Sequence, residues 1–215
     1  VLVLSRGLWK KAETDTGAKE ENPATNISQA LGRPGAAFSM CAFFCYVSYE
    51  MTAGLWASSY LSSVKGMSAA GAAGWAAFIY GGITIGRFLS GFLTKRLTSR
   101  QMILYGCAIS LFGVLIMALP LPAGFTVAGL LLLGFGCGPY YPTMISETPR
   151  RFGKSYSSIM IGLQMGCAYI GSMLIPSLTG WLSAVLTLGA FPWILMVFGA
   201  GALIFGEKSG RFVNG

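Results

Sequence analysis

A chain of 215 residues that is 54% hydrophobic and only 10% charged cannot build a water-soluble surface, because soluble domains carry about 25% charged residues. Its formal charge of +8 sits in short clusters between long apolar runs, which is the pattern of membrane topology and argues against nucleic acid as a partner. There is no histidine, so proton chemistry falls to carboxylates. Histidine metal sites and Ser/His or Cys/His catalysis are excluded, no phosphate-binding loop is present, and neither an enzyme nor a cofactor is expected.

Residues 1–4 are Val-Leu-Val-Leu, followed at once by Ser5, Arg6, Lys10 and Lys11. Apolar residues ahead of basic ones read as the last turn of a preceding transmembrane helix, whereas a signal peptide carries its charges first. Residues 5–34 are polar, with Glu13, Asp15, Lys19, Glu20 and Glu21 around Asn22-Pro23, and read as a solvated cytoplasmic linker.

Six apolar segments follow, over 35–61, 69–93, 101–119, 124–146, 156–180 and 187–206. Each approaches or exceeds the ~20 residues that cross a ~30 Å hydrocarbon core. Their continuously apolar runs fit helices and not the alternating strands of a barrel. Counting Lys and Arg, the connections alternate: thirteen lie on one side and one, Lys65, on the other. The positive-inside rule places the basic side, both ends of the chain and the tail 207–215 in the cytoplasm. The expected fold class is an all-α membrane protein with six spans, and its first partner is the lipid bilayer. Glycines at helical spacing (Gly82, Gly86 with Ser90; Gly162 with Gly166) are sufficiently explained by close helix packing.

Glu50 is the most informative residue. It lies fifteen positions from both Gly35 and Lys65, near the bilayer midplane, where a charge costs roughly 2.5–3.5 kcal/mol. It must be protonated, paired or facing a water-filled cavity. It reads either as a proton- or solute-binding carboxylate or as a protonated packing residue. Tyr46 lies one turn before it; Tyr49, Trp56 and Tyr60 share a neighbouring face. Rings beside a carboxylate suit a sugar-like solute, while Trp56 and Tyr60 fit an interfacial belt equally well. Arg87, eight residues before Lys95, is the second intramembrane charge. Glu147 at similar depth suggests an Arg87–Glu147 latch at a closed inner gate, with independent snorkelling as the alternative. The fourth span is broken by Gly134, Gly136, Gly138, Pro139 and Pro142 around Tyr140 and Tyr141, the kind of interruption at which transporter sites form. Gln164, a midplane amide with Tyr169 beyond it, suits either the solute or a neighbouring helix. The cysteines Cys41, Cys45, Cys107, Cys137 and Cys167 are odd in number and scattered, which argues against a disulfide framework. Cys41 and Cys45 share a face, but small packing residues explain them and no metal is assigned.

These segments carry a resemblance. Tyr46-Val47-Ser48-Tyr49-Glu50 with Gly54-Leu55-Trp56 and Ser59-Tyr60-Leu61, Gly86-Arg87 with Gly91, Gly136-Cys137-Gly138-Pro139-Tyr140-Tyr141-Pro142 with Thr148-Pro149, and Ile161-Gly162-Leu163-Gln164 with Ala168-Tyr169-Ile170-Gly171-Ser172 and Pro176 resemble helices seven, eight, ten and eleven of the fucose-permease-like branch of the major facilitator superfamily. In the superfamily's loop motif G-x-x-x-D-(R/K)-x-G-(R/K)-(R/K), Gly91, Arg96 and Arg100 match, while Lys95 and Thr98 stand at the Asp and second Gly positions. The resemblance implies the C-terminal half of a twelve-helix secondary transporter in the bacterial inner membrane, with the N-terminal half as its missing partner. It implies proton-coupled uptake of a small polar solute such as a sugar, with a gating or structural role for Arg87, Glu147, Gly91, Arg96 and Arg100. Drug efflux is the second transporter reading; a non-transporting fragment or scaffold is the reading from another class.

Overall fold

The computed structural model describes residues 26–185 and 187–211. The expected helix end at 1–4, most of the linker and residues 212–215 lie outside them. Among the described residues the protein is helical without strands. A short helix α1 (Ile27–Leu31) leads into α2 (Ala36–Ser63), α3 (Ala69–Ala76), α4 (Phe78–Leu93), α5 (Ser99–Ala118), α6 (Ala123–Cys137), α7 (Tyr140–Phe152), α8 (Lys154–Val185), a 3-10 turn at Leu188–Ala190, and α9 (Phe191–Arg211). With α3–α4 and α6–α7 each taken as one interrupted rod, these form a six-helix transmembrane half-bundle. Five rods are long and apolar enough to cross a membrane by length and composition alone. The exception is α2, whose polarity comes from Ser39, Ser48, Glu50, Thr52 and its tyrosines.

The helix ends differ from the apolar segments for local reasons. Asn26 caps α1, its side-chain oxygen accepting from Ser28 N at 3.0 Å, so part of the polar stretch is helical; Ala30 then buries against Ala36, Phe152 and Met160. Pro192 occupies the first turn of α9, where a missing N–H costs nothing. The same helix runs on to Arg211, through residues expected as tail. At the start of α5, Thr98 and Gln101 make a reciprocal capping box, satisfying two otherwise orphaned N–H groups.

Glycine determines the packing. α6 lies between α4 and α5, touching both backbone to backbone. A Cβ on Gly82 or Gly86 would strike the backbone of Leu131 or Phe135, and one on Gly134 would strike Ile79. On the other side, Gly113 and Gly129 face each other so closely that a Cβ on Gly113 would sit 2.5 Å from the Gly129 carbonyl. In lipid, where helix association depends on van der Waals contact, such seams hold helices together. The other stripe does not pack: Gly162 and Gly166 have nothing within 4 Å of a Cβ among the described residues, leaving that face of α8 open.

A second group, α2 with α8 and α9, joins the first through α5 and α9. At the end opposite the basic loops, α2 ties down the end of α5. Tyr60 Oη donates to the Met117 carbonyl at 2.8 Å. Lys65 Nζ donates to the carbonyls of Leu119 and Leu121 at 3.0 and 3.2 Å, and burial pushes its ammonium below the usual lysine range. Tyr60 is only 3% exposed, so of its two readings the interfacial belt is not taken up, and its hydroxyl caps the end of α5.

The glycine seam makes adjacent positions unequal. Gly82→Ala should destabilise the protein by about 1–3 kcal/mol through overpacking, whereas Gly81→Ala, with open space around its Cβ, should leave the melting temperature in detergent unchanged or raised.

Candidate functional site

Glu50 lies halfway along α2, so no route along its own helix takes its carboxylate to water. It meets Arg87 of α4, whose Nη2 lies 3.8 Å from Glu50 Oε1. The Glu50 side chain is 12% exposed and that of Arg87 53%. Together they line an open pocket of about 270 Å³ with Tyr141, Met165, Tyr169 and Ser172. Four rods contribute: α2, α4, α7 and α8. The result is a neutral pair of opposite charges on a partly apolar, aromatic floor. An ion pair in lipid holds each charge at lower cost than either alone.

The Arg87–Glu147 latch is not formed. A Cβ on Gly138 would meet the backbone N of Arg87 at 2.6 Å, so Arg87 sits at the height of the α6–α7 break. Glu147 lies nine residues beyond Gly138, which is ~14 Å along a helix. Residue counting sets Arg87 and Glu147 at similar depth; the packing of α4 against Gly138 separates them. Glu147 instead accepts from Ser99 Oγ at 2.7 Å and pairs with Arg150 at 3.5 Å.

The aromatic residues divide into two sets. Tyr141 and Tyr169 line the Glu50 pocket; Tyr169 is 69% exposed, while Tyr141 Oη donates to Met165 Sδ at 3.0 Å. Tyr46, Tyr49 and Tyr140 are buried inside the bundle and do not line that pocket. The break at Gly138-Pro139 leaves backbone carbonyls without helical partners, and Tyr46 Oη donates to one of them, Cys137 O, at 3.0 Å. The Tyr46 and Tyr140 rings stack at 4.3 Å, and Tyr140 Oη donates to Ala202 O at 2.9 Å. Tyr49 borders a small internal crevice with Ser110 and Cys107. Trp56 Nε1 donates to Pro176 O at 3.0 Å, bridging α2 and α8 beside a second open pocket of about 350 Å³.

Gln164 is wholly buried and serves neighbouring helices: Nε2 donates to Ser39 Oγ at 2.7 Å and Oε1 accepts from Thr148 Oγ1 at 3.2 Å. Ser39 and Thr148, isolated hydroxyls on different rods, gave no sequence signal for this three-helix contact. The five cysteines are free, and no cluster of three or more His, Cys, Asp or Glu among the described residues is placed to hold a metal. At the basic end, Arg100 pairs with Glu207, which also meets Arg211 at 3.7 Å. Gly91 has open space around it, and Arg96 is exposed.

The family model of the Major Facilitator Superfamily matches residues 38–207. Among solved structures, the chain is similar to a Major Facilitator Superfamily transporter, FucP, in the outward conformation, with a TM-score of 0.76 and 20% identity over 91% of this chain and 47% of that one. It is also similar to the E. coli fucose:proton symporter FucP in a variant form, with a TM-score of 0.71 and 21% identity over 91% of this chain and 48% of that one. The chain thus spans about half the length of the solved structures it matches. None of the curated proteins compared with it matches.

The division between buried and open polar residues predicts unequal effects. Gln164→Leu should lower stability by about 1–3 kcal/mol, because Ser39 and Thr148 lose their shared partner. Tyr169→Phe should change thermal unfolding by less than about 0.5 kcal/mol.

Proposed function

The chain belongs to the major facilitator superfamily, and on that premise we propose that it forms the C-terminal half of a secondary transporter that takes up a small polar solute, such as a sugar, together with protons. In this reading the basic end faces the cytoplasm of the bacterial inner membrane. The N-terminal half supplies the opposite wall of the site, and the two halves rock about it.

The observation that carries the reading is the Glu50–Arg87 pair at the head of an open, ring-lined pocket. Each charge stays tolerable at this depth only while the other compensates it or water reaches it. Protonating Glu50 removes the attraction that holds Arg87 and frees its N–H groups for solute oxygens. Proton loading and solute binding then favour the same state, which is the linkage symport requires. Tyr141 and Tyr169 offer ring faces to the apolar side of a pyranose, and the Ser172 hydroxyl adds a polar contact. Release of the proton restores the pair and disfavours the bound solute. The fucose:proton symporter named above is consistent with this chemistry as a structural neighbour.

The test uses the intact transporter in vesicles, with candidate sugars as solutes. Glu50→Gln should abolish solute-driven proton uptake, while solute exchange across the membrane with no net proton movement persists. Coupling that is unchanged in Glu50→Gln overturns the assignment of Glu50. Arg87→Gln should weaken solute binding by roughly 10-fold or more, the loss of one charge-assisted hydrogen bond.

A further inference from the structure

Another cavity lies away from the Glu50 pocket. It has a volume of about 430 Å³ and opens at the basic end between the end of α4, the start of α5, the end of α7 and the end of α9. Three guanidinium groups line it, those of Arg100, Arg150 and Arg151, with the carboxylates of Glu147 and Glu207 and the hydroxyl of Ser99.

The charges do not balance. Glu207 is held by Arg100 and Arg211, and Glu147 by Arg150 and Ser99. Arg151 has only neutral acceptors: its Nη1 donates to Ser209 Oγ at 3.3 Å and approaches Met144 Sδ at 3.6 Å. No carboxylate of the described residues lies within ion-pair distance of it. Arg151 is also partly buried, so water screens it less than its exposed neighbours. Across this whole end, nine Lys and Arg side chains stand against two carboxylates in the described residues.

The Arg151 guanidinium, without a carboxylate partner among the described residues and beside two guanidinium groups that already neutralise carboxylates, offers the fork that meets the oxygens of a phosphate group. The position of the cavity matters as well. The helix ends that form it lie at the edge of the apolar rods, where basic pockets between transmembrane helices meet anionic headgroups. The two cavities share no lining residue, so an occupant here makes no contact with the residues that line the Glu50 pocket.

We propose that this cavity binds a phosphate-bearing anion, with Arg151 as its principal contact and Arg100 and Arg150 as flanking cations. Such an anion ties the end of α9 to the loops after α4 and α7. It therefore stabilises the arrangement of the bundle at this end.

The proposal is tested on the intact protein in detergent. Native mass spectrometry with phosphatidylglycerol and phosphatidylcholine measures retention of an anionic against a zwitterionic headgroup. Thermal unfolding with inorganic phosphate, against chloride at equal ionic strength, measures binding of the free ion. Retention of phosphatidylglycerol alone assigns the cavity to a headgroup, and a rise in melting temperature with phosphate alone assigns it to the soluble ion; either supports the proposal. Arg151→Gln should cut the positive signal about 10-fold, and Lys95→Gln, outside the cavity, by less than about fivefold. Should Arg151→Gln fail to fold, Arg150→Gln carries the same comparison. Equal retention of the two lipids with no response to phosphate overturns the proposal. Equal losses in Lys95→Gln and the cavity variant also overturn it, because the effect would then be general surface charge.

Discussion

The middle of a bilayer offers no water, so a polar group there is costly unless it finds a partner within the protein or in a solvated cavity. This constraint explains most of the polar chemistry of the bundle. The α6–α7 break frees backbone carbonyls, and Tyr46 of α2 supplies a hydroxyl to one of them. Gln164 reaches Ser39 on one side and Thr148 on the other, so one amide satisfies three rods. Lys65 and Tyr60 cap the carbonyls at the end of α5. The same requirement draws Arg87 across to Glu50, and this mid-helix ion pair also opens onto a pocket.

Around these contacts the glycine seams set rigidity. α6 is in backbone contact with α4 and α5 through Gly82, Gly86, Gly113, Gly129 and Gly134, so these three rods are built to move together. Arg87 belongs to this group and Glu50 to the group of α2, α8 and α9. The ion pair therefore spans two packing units of the half-bundle, and any change in its charge state acts where those units meet. Tyr141 and Tyr169 come from α7 and α8, so the aromatic floor straddles the same boundary.

Much of the fold was legible because lipid imposes a simple pattern: long apolar runs with alternating basic connections. The mid-helix position of Glu50 followed from counting along one apolar run. The partner of Arg87 did not, because its height depends on where α4 packs against Gly138, a contact between residues far apart in sequence. Tyr46 and Glu50 share a helical spacing, yet one is buried in the bundle and the other borders an open pocket. Residue type gave the chemistry of the tyrosines but not which edge of α2 faced inward. The basic-end cavity was hidden for a related reason. Arg150 and Arg151 carried a topology signal, and nothing local announced that Ser209 and Glu207, some sixty residues later, would wall them in.

The central claim is that Glu50 exchanges a proton as the site changes occupancy. Infrared difference spectroscopy of the intact transporter, recorded as solute is added at neutral pH, reads this directly. The account predicts a protonated-carboxyl band that grows with solute, weakens as pH rises, and is missing in Glu50→Gln. A carboxylate at Glu50 that stays ionised in the solute-bound state, with no such band, would contradict it.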